Sequence, residues 1–295
     1  MGQLSGMTGF ARVSGEESWG AWAWEAKSVN GRSLDVRVNL PPGFEALERE
    51  VKAEAGARFN RGSLQVGLRI DLAAGAGGAV IDEALLGAMI AATRKAAGTD
   101  VTAEAVAALM TVKGVVETGG ASLRDLAQDE AIVALLSAGA KKALDELAKG
   151  RLAEGRALAG VLGGHLDEIE RLAAEAATHA VTQPGLIKVR LQKQLDELDT
   201  DKRVDPERFA AEAALSAAKA DVREELDRLA AHVRTGRDLL KAGSPAGRKI
   251  DFLAQELNRE ANTLCSKSIS LDLTNAGLGL KGVIDQFKEQ AANVE

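Results

Sequence analysis

The sequence predicts an α+β fold: a small N-terminal sheet-containing domain, then a long, mostly α-helical region with extended helices. Three observations predict it. Apolar residues in the first seventy positions recur mainly with a period of two, the pattern of half-buried strands. From Asp82 onward Ala, Leu, Glu and Lys dominate, and these are strong helix formers. Finally, 46% hydrophobic and 27% charged residues with only 5 Pro is an ordinary folded composition, not a disordered one.

Thr8 to Val13 reads as the first strand. Trp22, Trp24 and Ala26 then alternate with Ala23, Glu25 and Lys27, and Leu34, Val36, Val38 and Leu40 alternate with Asp35, Arg37 and Asn39. Asn30-Gly31 lies between these two runs and predicts a hairpin joining them, because both residues tolerate positive φ. Pro41-Pro42-Gly43 ends the second run. A helix follows, with Phe44, Leu47, Val51 and Ala55 at helical spacing. Arg61-Gly62-Ser63 turns the chain into Leu64, Val66, Leu68 and Ile70, again alternating. The Ala/Gly run over 73–78 predicts a flexible surface loop. Helices are expected at 82–97, 102–110, 122–137, 138–180, 184–199, 205–241, 248–265 and 269–292. Gly155, Gly160, Gly163 and Gly164 predict a kink or break in the fourth. Asp205 and Pro206 suit a cap and a first helical position. This organisation divides the chain into an α+β domain over 1–155, a helical connector over 156–205 and a helical domain over 206–295.

Composition excludes several function classes. Cys265 stands alone, which excludes an internal disulfide framework and a Cys-rich zinc site and fits a reducing compartment. The start, MGQLSGMTGF, has neither the basic nor the apolar part of a secretory signal, and no run of about 18 apolar residues predicts a membrane span. The net charge of −6 excludes a generic basic nucleic-acid coat but permits a local basic groove. No His-Glu-x-x-His, P-loop or dinucleotide-binding glycine motif occurs. With no Tyr, any base stacking falls to 3 Trp, 6 Phe or Arg planes.

The most informative stretch runs from Gly247 to Lys267. As a helix, its Ile250, Leu253, Leu257, Ala261 and Leu264 form an apolar stripe. Asp251, Gln255, Asn258, Arg259, Asn262 and Ser266 form a polar ridge, with Glu256, Glu260 and Lys267 on its flank. Asn costs several tenths of a kcal/mol in a helix interior, so this ridge serves directional hydrogen bonds, either in a seam between packed helices or toward a ligand. Glu256 and Glu260 are four apart and neighbours on the surface. With Asp251 they offer oxygen ligands to a hard divalent cation; the plain alternative is ion pairing with Lys249, Arg259 or Lys267. On the preceding helix Glu225, Arg228 and His232 share a face, and Asp221 precedes Glu225 by four. Such a face suits acid–base work or simple packing. In the N-terminal part Arg12, Lys27, Asn30, Arg32 and Arg37 gather on strands and a turn beside Trp22 and Trp24. Arg and aromatic groups on a sheet can track single-stranded nucleic acid, while Trp at i and i+2 equally fills a core.

Two segments taken together carry a resemblance. Met7-Thr8-Gly9-Phe10 with Arg12, the run Trp24 to Asp35 and Arg61-Gly62 resemble the opening of the YicC/YloC-like family. The run Gly247 to Thr263, with Ser266-Lys267, resembles its C-terminal signature, and Glu224-Glu225, Arg228, His232 and the closing Glu289 to Glu295 also fit. Gly31 departs from the His common in that family, Cys265 from its usual Gly and Gly279 from a frequent acid. The resemblance implies a cytosolic bacterial endoribonuclease that needs a divalent cation, Mg²⁺ or Mn²⁺, and assembles as a ring-like homo-oligomer, a hexamer. On that reading Arg12, Lys27, Arg32, Arg248, Lys249, Arg259 and Lys267 hold RNA phosphates, and Asn30, Asn258 and Asn262 meet ribose or base edges. His232, Glu225, Asp251, Glu256 and Glu260 form the candidate catalytic set, and Asp221, Glu256 and Glu260 the candidate metal ligands. The rivals are a non-catalytic RNA clamp or adaptor that presents RNA to another ribonuclease, and a purely structural oligomer.

Overall fold

The computed structural model describes residues 2–73, 79–118, 122–197 and 205–295. The N-terminal sheet has four strands, β1 (Gly9–Glu17), β2 (Gly20–Val29), β3 (Leu34–Asn39) and β4 (Gly62–Leu72), in the order β1-β2-β4-β3. β1 and β2 form the tight hairpin, with Glu17 opposite Gly20. β2 pairs antiparallel with β4, whereas β3 pairs parallel with it. The expected hairpin at Asn30-Gly31 is therefore absent: β4 lies between the two runs that the turn joins. The local Asn-Gly signal is overridden because β4 buries Leu64, Val66 and Leu68, which suits it to the interior of the sheet beside β2. Gly31 serves a close approach instead, since a Cβ there would lie 2.9 Å from the Gly62 backbone. Helix α1 (Leu47–Arg58) makes the crossover from β3 to β4 and buries Leu47, Val51 and Ala55 against the sheet.

A short pair of strands follows, β5 (Ala79–Ile81) with β6 (Val116–Thr118), bracketing α2 (Glu83–Ala97) and α3 (Ala103–Leu109). β6 lies in the region read as helical, and three residues are too few to register a period. Most of the expected loop over 73–78 lies outside the described residues.

Helix α4 (Leu123–Leu126) and helix α5 (Glu130–Ala180) replace the two helices expected over 122–180. α5 has 51 residues, about 75 Å at 1.5 Å each, and is unbroken at its glycines. Its first half packs Leu136, Ala140, Leu144 and Leu147 on the sheet and α1. Its second half packs Leu158, Leu162, Leu166, Ile169 and Leu172 in a second core with the C-terminal helices. Each fully buried Leu contributes roughly 2 kcal/mol by area, enough to hold a glycine-weakened helix. Residue 155, where the sequence reading places a domain boundary, thus lies inside one helix shared by both cores.

The glycines of α5 differ in kind. A Cβ on Gly155 would sit 2.0 Å from the Leu4 carbonyl oxygen, whereas one on Gly160 would meet nothing within 4 Å. Gly155→Ala should therefore destabilise the fold by about 1–3 kcal/mol, and Gly160→Ala should stabilise it by up to about 1 kcal/mol. Urea denaturation midpoints check both; a midpoint raised by Gly155→Ala would refute the close approach.

Helices α6 (Gln183–Glu197), α7 (Pro206–Lys219), α8 (Arg223–Ala242), α9 (Gly247–Lys267) and α10 (Leu271–Ala291) complete the chain. The helix expected over 205–241 is two helices. The chain bends at Ala220 and Val222, both buried, with the Asp221 carboxylate accepting the Arg223 amide at 3.0 Å and Gln183 donating to the Ala220 carbonyl at 2.9 Å. Residues 198 and 199 of the helix expected over 184–199 are not among those described. α8, α9 and α10 pack on α5 through Leu229 and Val233, Ile250 to Leu264, and Leu273 to Ala291. Among the described residues, no helix is long and apolar enough to cross a membrane.

Candidate active site

α8 and α9 lie side by side, and their sequence periods decide which groups meet. The expected apolar stripe of α9, Ile250, Leu253, Leu257, Ala261 and Leu264, is fully buried. Its flank faces α8, and Glu256 and Glu260 come to the boundary between buried and open surface. His232 stands opposite on α8. One ligand atom from each of His232, Glu256 and Glu260 lies within 4.8 Å of the others. Glu260 is buried, at 4% exposure, and accepts a hydrogen bond from Arg228 at 3.3 Å. Arg228 also pairs with Glu224 one turn earlier on α8. Glu256 makes no ion pair among the described residues, so of the two neighbouring carboxylates Glu260 alone is ion-paired, to Arg228.

A groove of about 420 Å³ opens beside this group, between His232, Thr235 and Leu239 on α8 and Arg248, Lys249, Phe252, Leu253 and Glu256 on α9. Arg248 and Lys249 are exposed and make no ion pair among the described residues. A larger hollow of about 530 Å³ lies where α5, α6, α7 and α8 meet, but it is lined chiefly by Ala and its charged groups are already engaged. The arrangement of a polarisable acid–base pair beside unpaired cations belongs to the smaller groove.

The other sequence-selected acids lie elsewhere. Asp221 is gripped by Arg223, whose guanidinium first and backbone amide second pull its pKa down to about 2. Glu225 is buried and pairs with Lys267 at 2.8 Å, and Lys267 also donates to the Asp221 carbonyl at 3.0 Å. These form an ion-pair latch between the start of α8 and the end of α9, separate from the His232 group. Asp251 accepts a hydrogen bond from Gln255 at 3.2 Å, one turn along α9. Asn262 donates to Asn258 at 2.7 Å, and Asn258 donates to Asp285 of α10 at 3.3 Å. The polar ridge is thus an exposed ladder tied to α10. Arg259 is exposed.

In the N-terminal domain Arg12 and Lys27 lie on the open face of the sheet, Arg12 at 3.7 Å from Glu25. Arg32 is exposed in the link between β2 and β3, and Asn30 hydrogen-bonds Asn293. Trp22 and Trp24 point to the inner face and belong to the core. No hydrogen bond or ion pair joins these basic residues to the α8–α9 groove among the described residues. Sequence spacing missed the Arg228–Glu260 and Asn258–Asp285 links, since each crosses from one helix to another and leaves no periodic trace.

The comparisons with known proteins cover the same two regions. A family model described as "Endoribonuclease YicC-like, N-terminal region" matches residues 4–160, and one described as "Endoribonuclease YicC-like, C-terminal" matches residues 168–295. A protein of Haemophilus influenzae named "Probable endoribonuclease YicC" is 34% identical over 293 residues, 98% of this chain and 99% of that protein. One of the same name from Clostridioides difficile is 26% identical over 301 residues, covering 98% and 99%.

Proposed function

Because the chain belongs to the YicC-like endoribonuclease family, we propose that it hydrolyses phosphodiester bonds in single-stranded or loop RNA at the α8–α9 groove. The observation that carries this reading is the meeting of His232, Glu256 and Glu260 within 4.8 Å at the edge of a groove lined by Arg248 and Lys249. Each part answers a need of the reaction. Arg248 and Lys249 bring positive charge to a phosphate and hold it against the acid–base group. The imidazole of His232 is placed to take a proton from the attacking oxygen and return one to the leaving oxygen, so that one P–O bond forms as another breaks. On this reading the Glu256 carboxylate, within 4.8 Å of the imidazole, balances the charge it gains on taking the proton. Glu260, held by Arg228, fixes the geometry from below.

One imidazole and two carboxylates also suit a divalent cation such as Mg²⁺ or Mn²⁺, and the nearness of two like charges favours one. As the alternative to proton transfer by the imidazole, His232, Glu256 and Glu260 would hold it, and when bound it would supply Lewis-acid stabilisation of the phosphoryl charge. Asp221, bound by Arg223, takes no part in this set. The protein works in the cytoplasm as a homo-oligomer, a hexamer by family resemblance. Val181, Val189 and Leu215, at 81%, 67% and 50% exposure around α6 and α7, are the apolar surface that self-association would cover.

Purified protein should cut an end-labelled single-stranded RNA, lose that activity in EDTA and regain it with Mn²⁺. Affinity should fall as salt rises, because phosphate contacts release counterions. RNA that stays bound but whole in both metals would replace the hydrolase with an adaptor.

A further inference from the structure

We propose that the groove beside His232 and Glu256 is a nucleotide subsite in which Phe252 stacks on a base of single-stranded RNA while Arg248 and Lys249 hold its phosphates. This deepens the hydrolase reading, because it names what the groove binds.

The argument starts from exposure. The chain has nine aromatic residues, 3 Trp and 6 Phe. Trp22, Trp24, Phe44, Phe59 and Phe287 are buried. Phe252 is 62% exposed and Phe10, on β1, is 61% exposed. Of these two open rings, Phe252 is the one that lines the groove with His232 and Glu256. Helical spacing explains the alignment. Arg248, Phe252 and Glu256 are successive at i, i+4 and i+8, so they line one ridge of α9 over about 12 Å. His232, Thr235 and Leu239 form the facing wall on α8. The groove thus runs from cations, past an aromatic face with an aliphatic floor at Leu239 and Leu253, to the acid–base group.

The occupant follows from charge and shape. Unpaired Arg248 and Lys249 call for an anion, and the exposed ring beside them calls for a flat apolar body. A nucleotide within a strand joins both. A volume of about 420 Å³ falls within the range of small-ligand sites. Stacking on a π-face is tolerant of sequence because every base has one, so the subsite grips single strands, whose bases are free to turn out, and rejects paired ones.

The test separates base from backbone. Fluorescence anisotropy would compare a short 2′-O-methyl oligoadenylate, which resists cleavage, with an abasic strand of equal length. Phe252→Ala should weaken binding of the base-bearing strand about tenfold, leave the abasic strand unchanged, and be restored by Phe252→Trp. Equal losses on both strands, or no loss on either, would overturn the subsite. A parallel cleavage assay keeps the two readings apart. Wild-type protein that leaves RNA uncut yet discriminates through Phe252 retains the subsite and loses the hydrolase. Protein that cuts RNA but binds the base-bearing strand equally well with Ala at 252 does the reverse.

Discussion

Glu256→Gln and Glu260→Gln should each slow RNA cleavage by about 100-fold or more at matched RNA occupancy, the loss typical of a removed acid–base group. The amide keeps the size and hydrogen-bonding capacity of the carboxylate and removes only its charge and basicity. Stability tells this apart from a structural role. Glu260 pairs with Arg228, whose side chain is 52% exposed and already held by Glu224. Losing the charge at buried Glu260 should cost about 1–3 kcal/mol, and relief of repulsion from Glu256 works in the opposite direction. Thermal unfolding should therefore move modestly while single-turnover rates collapse. Residues kept for chemistry often show this trade between stability and activity. Partial recovery at high Mn²⁺ would mark a cation-holding role, which a pure proton acceptor lacks. Wild-type rates in both variants would remove the α8–α9 groove from catalysis and return attention to the latch of Asp221, Glu225 and Lys267.

Within-element features were legible in the sequence, and between-element ones were not. The stripe of Ile250, Leu253, Leu257, Ala261 and Leu264 follows from a 3.6-residue period, and so does the adjacency of Glu256 and Glu260. The third member of their group was harder to read. Asp221 and His232 both precede α9 with suitable chemistry, and only the packing of α8 on α9 chooses His232. The bend at residues 220–222 hides for a similar reason: Ala-Asp-Val contains no Gly or Pro, and the break depends on Gln183 capping from a distant helix. Asn30-Gly31 misled because turn chemistry is local while strand order is global. A two-residue signal cannot reveal that β4, thirty residues later, will claim the centre of the sheet. Gly155, Gly160, Gly163 and Gly164 of α5 misled in the opposite way. Their propensity cost of about 1 kcal/mol each is real, but burial of five Leu and Ile side chains on the same half of the helix outweighs it.

Arg151→Met should be the most damaging substitution outside the groove, with a loss of about 3–5 kcal/mol. Arg151 lies in the middle of α5 and is completely buried. Burial pulls its pKa below the ordinary arginine value, against the opposing pull of Glu295 and then Glu154. Its Nε donates to the Gly6 carbonyl at 2.7 Å and its Nη2 to the Arg61 carbonyl at 3.1 Å. Nη2 also lies 3.2 Å from the buried Glu295 carboxylate, and the guanidinium sits 4.7 Å above the Phe59 ring. One side chain thus ties the approach to β1, the turn into β4 and the end of α10 to the helix shared by both cores. Met fills the volume but leaves the buried Glu295 carboxylate without its cation, held only by the Asn60 and Arg61 amides among the described residues, and takes from the Arg61 carbonyl its side-chain donor. The penalty is the orphaned charge rather than the lost attraction, and a second substitution exposes the difference. Adding Glu295→Gln to Arg151→Met should recover part of the loss, so that the pair costs less than the sum of the singles. Urea unfolding of the four proteins in the cycle measures this. Strict additivity, or a loss below about 1 kcal/mol for Arg151→Met, would mean that the apolar contacts of α5 alone hold the two cores together.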